Sequence, residues 1–421
     1  MGRCVFFNLP GASGHINPTV GLVRELIARG EQVIYYAGED SRAKFTRLGV
    51  EFRTYDEWFQ YTHSATTAKN ILDFALVEID MALKCIEPLL ERTRQDNPDY
   101  VVYDSCCVWG KYIGEALQKP TIACITTLVS SPWVMLSDLP LSLHVTGVLI
   151  RGIPLITWAR RQGIELMAKI GVEFRGILYH IFDFFACLGE LNIVFNTREF
   201  QPFADRLKGR FHYVGASIPD GRDEGSLDFE RFGNRPLIYV SMGTVHNHNA
   251  DFYRTVMEAL ANEPVGVIMS IGYNIDAREL GGIPDNFIVE QFVPQLEVLK
   301  HADVFITHGG MNSLNEALYF GVPVIVVPQQ VEQGFNMRRL KKIGVAQPMP
   351  KELTPQSIRE TVYCVLKDER YTNNARTYSD VLRKGGGHKA AAQHILDFIA
   401  SRSDTTPFTM DSRPSVRSQG R

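Results

Sequence analysis

The stretch that decides the fold is VFITHGGMNSLNEALYFGVPVIVVPQQVEQGFN, residues 304 to 336. An apolar run at Val304–Ile306 predicts a strand, and a helical pattern covers Ser313–Tyr319. A glycine-rich turn joins these two segments, and a second apolar run, Val324–Val327, follows the helix. The sequence therefore predicts a strand, a turn, a helix and a strand in close succession.

Polar residues gather where the predicted helix begins: His308, Gly310, Asn312 and Ser313. Unpaired backbone N–H groups and the helix dipole make such a start favourable for a phosphate group. Capping alone is the competing interpretation, because Ser313 and Glu316 match the spacing of a capping box. The role of Glu316 is therefore left open at this point.

Two further groups accompany this stretch. Glu332 and Gln333 follow the next strand, where they either bind sugar hydroxyls or start a helix. Ser241–Thr244 follows a strand earlier in the same half, and its small residues suit either a phosphate or a plain turn. Because neighbouring His246 and His248 have no third ligand at a suitable spacing, no metal site is predicted.

The first half of the chain has its own polar pair. His15 lies on a predicted loop after the strand Val5–Asn8, before a helix expected to start at Asn17-Pro18. A helix N-terminus disfavours the imidazolium, so His15 can act as a general base. Asp104, at the end of a predicted strand, would orient the imidazole and stabilise its charged form. Singly, His15 could be a packing or capping residue and Asp104 a helix cap.

Strands and helices alternate along both halves. The predicted strands of the first half are Val5–Asn8, Gln32–Ala37, Tyr100–Tyr103, Thr121–Ile125 and Leu191–Phe195. Those before the opening stretch in the second half are Leu237–Val240, Val265–Met269 and Phe287–Glu290. This alternation predicts an α/β protein with parallel sheets, and ligands of such sheets bind at the carboxyl ends of the strands.

The pattern is looser between Thr126 and Leu188, where aromatic residues are frequent. Helices that pack on a core explain most such residues. Alternatively, some of them line an apolar substrate cavity.

Composition excludes some classes of function. The chain has 421 residues, of which 45% are hydrophobic and 22% charged, as is usual for a soluble protein. The net charge is -3 and Lys and Arg form no stripe, which argues against nucleic-acid binding.

Location is indicated by the cysteines and by the apolar segments. Seven scattered cysteines favour a reducing, cytoplasmic compartment. The N-terminal apolar segment is too short for a signal peptide, and polar residues interrupt the uncharged stretch Pro120–Ser137. No transmembrane segment is predicted, and the tail 403–421 is expected to be disordered.

Together these motifs resemble the macrolide-type bacterial branch of the UDP-glycosyltransferases. The resemblance runs from about residue 3 to 400 and is carried by GHINPTVGLVRELIARGEQVIYYA, PDYVVYDS, IYVSMGT, FVPQLEVLKHADVFITHGGMNSLNEALYFGVPVIVVPQQVEQ and GGHKAA. It implies the GT-B fold, two Rossmann-like αβα domains that face a cleft. The implied divisions are an acceptor domain 1–218, a linker 219–235, a nucleotide-sugar domain 236–384 and a helix 385–402 that crosses back.

The resemblance also implies roles for residues. His15 resembles the catalytic base and Asp104 its partner. The implied nucleotide-sugar site has thirteen members, with the diphosphate near His308, the ribose at Glu316 and the sugar at Glu332 and Gln333. These members are Ser241, Gly243, Thr244, Phe292, Val293, Gln295, His308, Gly310, Asn312, Ser313, Glu316, Glu332 and Gln333. Plant members carry Trp where this chain has Phe292, and many relatives carry Asp where it has Glu332.

The implied activity is an inverting transfer of a hexose, glucose above all, from a UDP-sugar to a hydroxyl of a lipophilic small molecule. The expected partners are that donor, which is a co-substrate rather than a cofactor, and the acceptor, without a metal. Whether the chain is a monomer or a homodimer is left open. Two alternatives are a nucleotide-sugar epimerase on the same fold and a non-catalytic nucleotide-sugar-binding protein.

Overall fold

The computed structural model describes residues 2–58, 71–131, 133–134, 137–173, 187–222, 225, 227–243 and 249–403. Of the predicted tail 403–421, only Ser403 is among them, as the last residue of the final helix. No helix within these ranges is long and apolar enough to cross a membrane.

The first half forms a seven-stranded parallel sheet in the order β3-β2-β1-β4-β5-β6-β7. Its strands are β1 (Arg3–Phe7), β2 (Gln32–Ala37), β3 (Glu51–Thr54), β4 (Tyr100–Asp104), β5 (Thr121–Ile125), β6 (Leu191–Val194) and β7 (Arg210–Tyr213). Its helices are α1 (Ser13–Ala28), α2 (Arg42–Thr46), α3 (Ile71–Asp96), α4 (Val108–Ala116), α5 (Leu139–Arg151) and α6 (Ile153–Ile170).

The second half forms a six-stranded parallel sheet in the order β10-β9-β8-β11-β12-β13. Its strands are β8 (Leu237–Ser241), β9 (Gly266–Ser270), β10 (Phe287–Glu290), β11 (Val304–Thr307), β12 (Val324–Val326) and β13 (Ala346–Pro348). The helices are α7 (Ala250–Leu260), α8 (Gln295–His301), α9 (Met311–Tyr319), α10 (Val331–Ile343), α11 (Pro355–Lys367), α12 (Glu369–Lys384) and α13 (Gly387–Ser403).

Both faces of each sheet are buried. In β1, Val5 and Phe7 belong to one apolar cluster, whereas Cys4 and Phe6 belong to another on the opposite face. Successive strand residues point to opposite faces, so a sheet covered on both sides needs continuous apolar runs. This requirement explains why the central strands were recognisable from the sequence.

The last helix, α13, returns to the first half. The N–H of Gly387 donates to the carbonyl of Val214 at 2.7 Å, and Ala391, Ile395 and Phe398 join the apolar cluster beneath α1. Gly21 of α1 allows close packing here, because a Cβ atom at this position would lie 2.7 Å from Cγ of His388. The predicted α/β class, with two facing domains and a returning helix, is confirmed. The exact domain boundaries stay a prediction.

Two predicted helix starts were wrong. Helix α1 begins at Ser13 rather than at Asn17, because the carbonyl of Ala12 accepts from the N–H groups of His15 and Ile16. His15 therefore lies in the first turn of α1 and not on a preceding loop. Pro18 is inside the helix, where its missing N–H removes one early hydrogen bond.

The second is the start of the helix predicted at Ser313–Tyr319, and the competing interpretation of Ser313 and Glu316 as a capping box does not hold. Helix α9 is capped by Gly310 and begins at Met311, so both residues lie inside it. The backbone of Gly310 is extended and no side chain caps it. Glu316 is thus available for other partners.

Three strands were missed, and all three lie at an edge of a sheet. They are β3, β7 and β13. Edge strands have a face or a side open to solvent, so they do not need an apolar run. In β7, for example, Arg210 is exposed and the other three residues are half-buried.

Candidate active site

The first functional pair lies at the carboxyl ends of β1 and β4. The Nδ1 atom of His15 is 3.0 Å from both carboxylate oxygens of Asp104, and the hydroxyl of Thr126 is 3.1 Å from the same nitrogen. Asp104 is fully buried, while 19% of the His15 side chain is exposed. The pair therefore has an inner carboxylate and an outer imidazole that reaches the cleft.

Buried polar groups hold the first turn of α1 in place. The amide of Asn8 donates to the carbonyl of His15 at 3.4 Å and to the hydroxyl of Tyr35 at 2.7 Å. The hydroxyl of Thr19 donates to the carbonyl of Ile16 at 2.8 Å. Since fully satisfied buried networks rigidify their surroundings, this arrangement fixes the direction of the imidazole.

Asp104 is held by backbone as well. Its Oδ1 atom accepts from the N–H of Cys106 at 2.9 Å, in the turn that leads from β4 to α4. A carboxylate fixed in this way can select the imidazole tautomer that carries hydrogen on Nδ1. The other ring nitrogen is then free of hydrogen and can accept a proton.

The pKa of His15 is raised from its ordinary value. Burial is the largest influence and lowers it, but the charge of Asp104, its hydrogen bond and the more distant charge of Glu332 together outweigh burial. The raised pKa follows from the negative charges that stabilise the imidazolium. His15 can thus take up a proton and keep its hydrogen bond to the carboxylate of Asp104.

Glu332 belongs to the second half and faces His15. It lies in the first turn of α10 and is open to the cleft. Desolvation in this confined position raises its pKa, whereas the charge of His15 and a hydrogen bond with Asn336 lower it. Nearby, a Cβ atom at Gly14 would lie 3.9 Å from Cβ of Asn312. The starts of α1, α9 and α10 therefore meet at one cleft.

His308 lies between two glycines. A Cβ atom at Gly243 would lie 2.7 Å from the His308 ring, and one at Gly310 would lie 2.5 Å from its Nε2 atom. Gly243 also has a φ of 80°, which other residues rarely adopt. Both glycines are required if the imidazole is to stay between the end of β8 and the start of α9.

The turn after β8 and the turn after β11 are adjacent. Ser241 pairs in register with Thr307, so both strand ends open at the same place as the start of α9. Asn312 and Ser313 lie in the first turn of that helix. Thr244 lies outside the described residues, so its predicted contact has no structural counterpart.

Glu316 is buried and fully engaged. Its Oε1 atom accepts from Asn312 and from Arg222, each at 2.6 Å, and its Oε2 atom accepts from Gln295 at 2.5 Å. The hydroxyl of Tyr239 donates to Gln295 at 2.9 Å. Arg222 comes from the polar segment between the halves, and no pattern in the sequence signalled its position.

Phe292 is paired with a residue that sequence reasoning missed. Its ring centroid lies 4.1 Å from that of Tyr273, and the two side chains are 43% and 77% exposed. Two exposed aromatic rings side by side offer a surface on which a nucleobase can stack. Val293, in contrast, packs its side chain against the apolar core.

Gln333 has a local structural task. Its Oε1 atom accepts from the N–H groups of Gln329 at 2.7 Å and Gln330 at 3.1 Å, which forms the capping box of α10. Of the two interpretations of Glu332-Gln333, the helix start is therefore correct for Gln333. Its side-chain NH2 group can still donate to a ligand.

The loosely patterned segment after Thr126 contains α5 and α6. Leu139, Leu143 and Ile150 are exposed and recur at helical spacing on one face of α5. Four of the aromatic residues that could line an apolar substrate cavity, Phe174, Phe182, Phe184 and Phe185, lie outside the described residues. The described residues of this segment thus present an exposed apolar face on α5.

One group of side chains has the composition of a metal site. Ligand atoms of His15, Asp104 and Cys106 lie within 4.8 Å of one another. The first two already form the hydrogen-bonded pair described above, which gives them a task without a metal. The sequence-based prediction that no metal is required stays a prediction.

Comparison with known proteins gives consistent matches. Residues 211–385 match the family described as UDP-glucoronosyl and UDP-glucosyl transferase. The chain is 31% identical to the uncharacterized UDP-glucosyltransferase YojK of Bacillus subtilis, over 96% of this chain and 99% of that protein. It is 28% identical to the oleandomycin glycosyltransferase of Streptomyces antibioticus, over 96% of this chain and 93% of that one.

A solved structure extends the similarity to the whole fold. The crystal structure of the glycotransferase of kitacinnamycin superimposes with a TM-score of 0.78 at 26% identity. The match covers 94% of this chain and 99% of that chain. Both parallel sheets and the cleft between them are therefore shared with a natural-product glycosyltransferase.

Proposed function

Since this chain belongs to the UDP-glucoronosyl and UDP-glucosyl transferase family and is a glycosyltransferase of the natural-product type, we propose its reaction in more detail. It transfers a hexose, preferably glucose, from a UDP-sugar to a hydroxyl of a lipophilic small molecule, with inversion and without a metal. One observation carries the proposal: the His15–Asp104 pair faces Glu332 and the start of α9 across a single cleft.

His15 acts as the general base. An acceptor hydroxyl has a pKa far above neutrality, so its proton must leave as the oxygen attacks the anomeric carbon. The exposed part of the imidazole accepts that proton, and buried Asp104 stabilises the imidazolium. Proton removal of this kind contributes about 10²–10⁴-fold to a rate.

The departing nucleoside diphosphate gains negative charge and needs stabilisation. The start of α9 directs backbone N–H groups and the helix dipole towards the cleft. Three further side chains lie near the start of α9, namely His308, Ser313 and Ser241. We propose that Thr244 also contacts the diphosphate there. Preorganised donors of this kind stabilise a leaving group electrostatically.

The nucleoside and the sugar occupy neighbouring positions. We place the base against Phe292 and Tyr273, next to Val293, and the ribose hydroxyls at Glu316. The sugar hydroxyls contact the carboxylate of Glu332 and the NH2 group of Gln333. Both lie in the first turn of α10, on the side of the cleft that faces the base.

The placement of these groups supports the inversion that we propose. The base belongs to the first half, and the diphosphate site belongs to the second half. We propose that an acceptor held by His15 attacks from the side opposite the leaving group. An α-linked UDP-sugar then yields a β-glycoside.

The acceptor is proposed to be lipophilic. The exposed apolar face of α5 lies in the segment between β5 and β6, which belongs to the same half as His15. The name of the oleandomycin glycosyltransferase points to a macrolide as its acceptor, which supports a related acceptor class here.

Two alternatives predict different experimental outcomes. An epimerase on this fold would convert the sugar of the donor without any acceptor. A non-catalytic binding protein would bind UDP and show no turnover.

A grid of UDP- and dTDP-sugars against macrolides and phenols separates the three functions. Mass spectrometry detects a hexosylated acceptor, proton NMR detects an epimerised donor, whose mass is unchanged, and isothermal titration measures UDP binding. The proposal predicts a hexosylated acceptor that requires both substrates. An epimerised donor in reactions without acceptor would favour the first alternative. UDP binding without a product across the grid would favour the second.

A further inference from the structure

The segment 219–235 between the two halves contributes a charged side chain, that of Arg222, to the proposed donor site. Arg222 lies in this segment, and its Nη1 atom donates to Oε1 of Glu316 at 2.6 Å. The two side chains are only 2% and 1% exposed. Burying an ion pair costs the hydration free energy of both charges. A buried ion pair at a ligand site therefore suggests that its charges have a role in binding.

In this structure the ion pair of Arg222 and Glu316 blocks the carboxylate at which the ribose is proposed to bind. Asn312 and Gln295 also donate to the Glu316 carboxylate, so both of its oxygens are occupied. A ribose hydroxyl cannot reach a carboxylate that is 1% exposed. Donor binding therefore requires that one of the three donors gives way to the ribose.

Arg222 is the partner best suited to move. Asn312 belongs to α9, and Gln295 belongs to α8 and is also held by Tyr239. Arg222 instead lies between β7 and β8, where the described residues 214–222, 225 and 227–236 form only one short helical turn, Glu230–Phe232. The element that carries the guanidinium is thus less constrained than those that carry the two amides.

The diphosphate offers the displaced guanidinium a second partner. Nη1 of Arg222 and Nδ2 of Asn312 are each 2.6 Å from the same oxygen, so they lie no farther apart than twice that distance. Asn312 is in the first turn of α9, where the diphosphate is proposed to bind. Guanidinium groups bind phosphate oxygens in a bidentate manner.

The local sequence supports a need for this charge. Residues 237–250, 291–299 and 304–330, which contain every proposed donor-site residue except Tyr273, Glu332 and Gln333, have no Lys or Arg. Helix dipoles and neutral donors alone would face two phosphates. A guanidinium from the intervening segment supplies a full positive charge to balance them.

We propose that Arg222 is a donor-binding residue that changes partners. It pairs with Glu316 when the site is empty and with the diphosphate when the ribose takes its place on Glu316. The exchange leaves neither buried charge without a partner, which keeps its cost low. This inference rests on the proposed function, because it presupposes a nucleoside diphosphate donor.

The test compares UDP with uridine, which lacks the diphosphate. Isothermal titration of both ligands is performed on the wild type, Arg222→Met and Arg222→Lys. In Arg222→Met, UDP affinity is expected to fall about tenfold or more, the usual effect of losing a charge-assisted hydrogen bond. Uridine affinity is expected to stay the same or to rise, because Glu316 is released. Arg222→Lys keeps the charge and is expected to recover part of the UDP affinity.

Arg24→Met is the matched control. Arg24 donates to the carbonyl of Asp220 at 2.7 Å, so this variant disturbs the same segment outside the donor site. Its affinities for UDP and uridine are expected to equal those of the wild type. Thermal unfolding checks that each variant is folded. If Arg222→Met is not folded, the comparison of UDP with uridine is made on Arg222→Lys alone.

Three results would overturn the inference about Arg222. The first is an equal loss of UDP and uridine affinity in Arg222→Met, as a structural role predicts. The second is an unchanged UDP affinity in Arg222→Met. The third is a loss of UDP affinity in Arg24→Met as large as in Arg222→Met. Wild-type protein that binds neither ligand would instead contradict the proposed function and, with it, this inference.

Discussion

The imidazole of His15 and the carboxylate of Glu332 act on each other across the cleft. The charge of Glu332 helps to raise the pKa of His15, and the charge of His15 lowers that of Glu332. One residue belongs to the first half and the other to the second. The proposed base is therefore coupled electrostatically to the donor side of the cleft.

This relationship predicts a shift in the pH profile of Glu332→Gln. Removing the negative charge destabilises the imidazolium, so the pKa of His15 falls and the base stays unprotonated at lower pH. The acidic limb of the profile of kcat/KM is expected to move to lower pH, measured for this variant and the wild type.

Glu258→Gln is the control for that prediction, because Glu258 is exposed on α7. Its acidic limb is expected to coincide with that of the wild type. An acidic limb of Glu332→Gln that stays in place or moves to higher pH would contradict the assignment of this limb to His15.

Asp104→Asn tests the partner of the base. The amide cannot stabilise the imidazolium, so kcat is expected to fall by about 10²-fold or more, as in other histidine–aspartate pairs. Because Asp104 lies in the first half, UDP affinity is expected to be unchanged when measured by titration. A parallel loss of UDP affinity would show instead that the substitution disrupts the fold of the cleft.

Gly310→Ala tests the position of His308. The added Cβ atom would lie 2.5 Å from Nε2 of His308, so the ring must move away from the diphosphate site. UDP affinity is expected to fall about tenfold, the usual effect of one charge-assisted hydrogen bond. Gly163→Ala, where a Cβ atom meets nothing within 4 Å, is the control and is expected to bind UDP normally. Equal affinities in both variants would contradict a role of His308.

Arg338→Met tests a contact that joins the halves. Arg338 of α10 donates to Asp138, just before α5, at 2.6 and 2.7 Å. Because the Arg338 side chain is 37% exposed, the pair contributes about 1 kcal/mol or less. Loosened closure admits water, so hydrolysis of the donor relative to transfer is expected to rise about two- to fivefold. An unchanged ratio of free sugar to product would show that this pair does not control closure.

The sequence predicts the fold where local chemistry decides it. The central strands are apolar on both faces, and β2 and β5 begin and end at the predicted residues. The pair of His15 and Asp104 was predictable because both follow strands that end at the same edge of a parallel sheet.

Other features depend on contacts that a local pattern does not contain. Ser313 and Glu316 match a capping box, yet Gly310 caps the helix three residues before Ser313, and Glu316 pairs with Arg222 instead. Arg222 is distant from Glu316 in sequence and lies in a segment without hydrophobic periodicity. Tyr273 likewise reaches Phe292 only through the arrangement of the second sheet.

The most direct test of the account is the turnover of UDP-glucose and a phenolic acceptor by the wild type and by His15→Ala. Product mass and anomeric configuration are read by mass spectrometry and proton NMR. The account predicts a β-glucoside from the wild type and a kcat about 10²–10⁴-fold lower in His15→Ala, with unchanged UDP affinity. Wild-type turnover by His15→Ala, or an α-glucoside from the wild type, would contradict it.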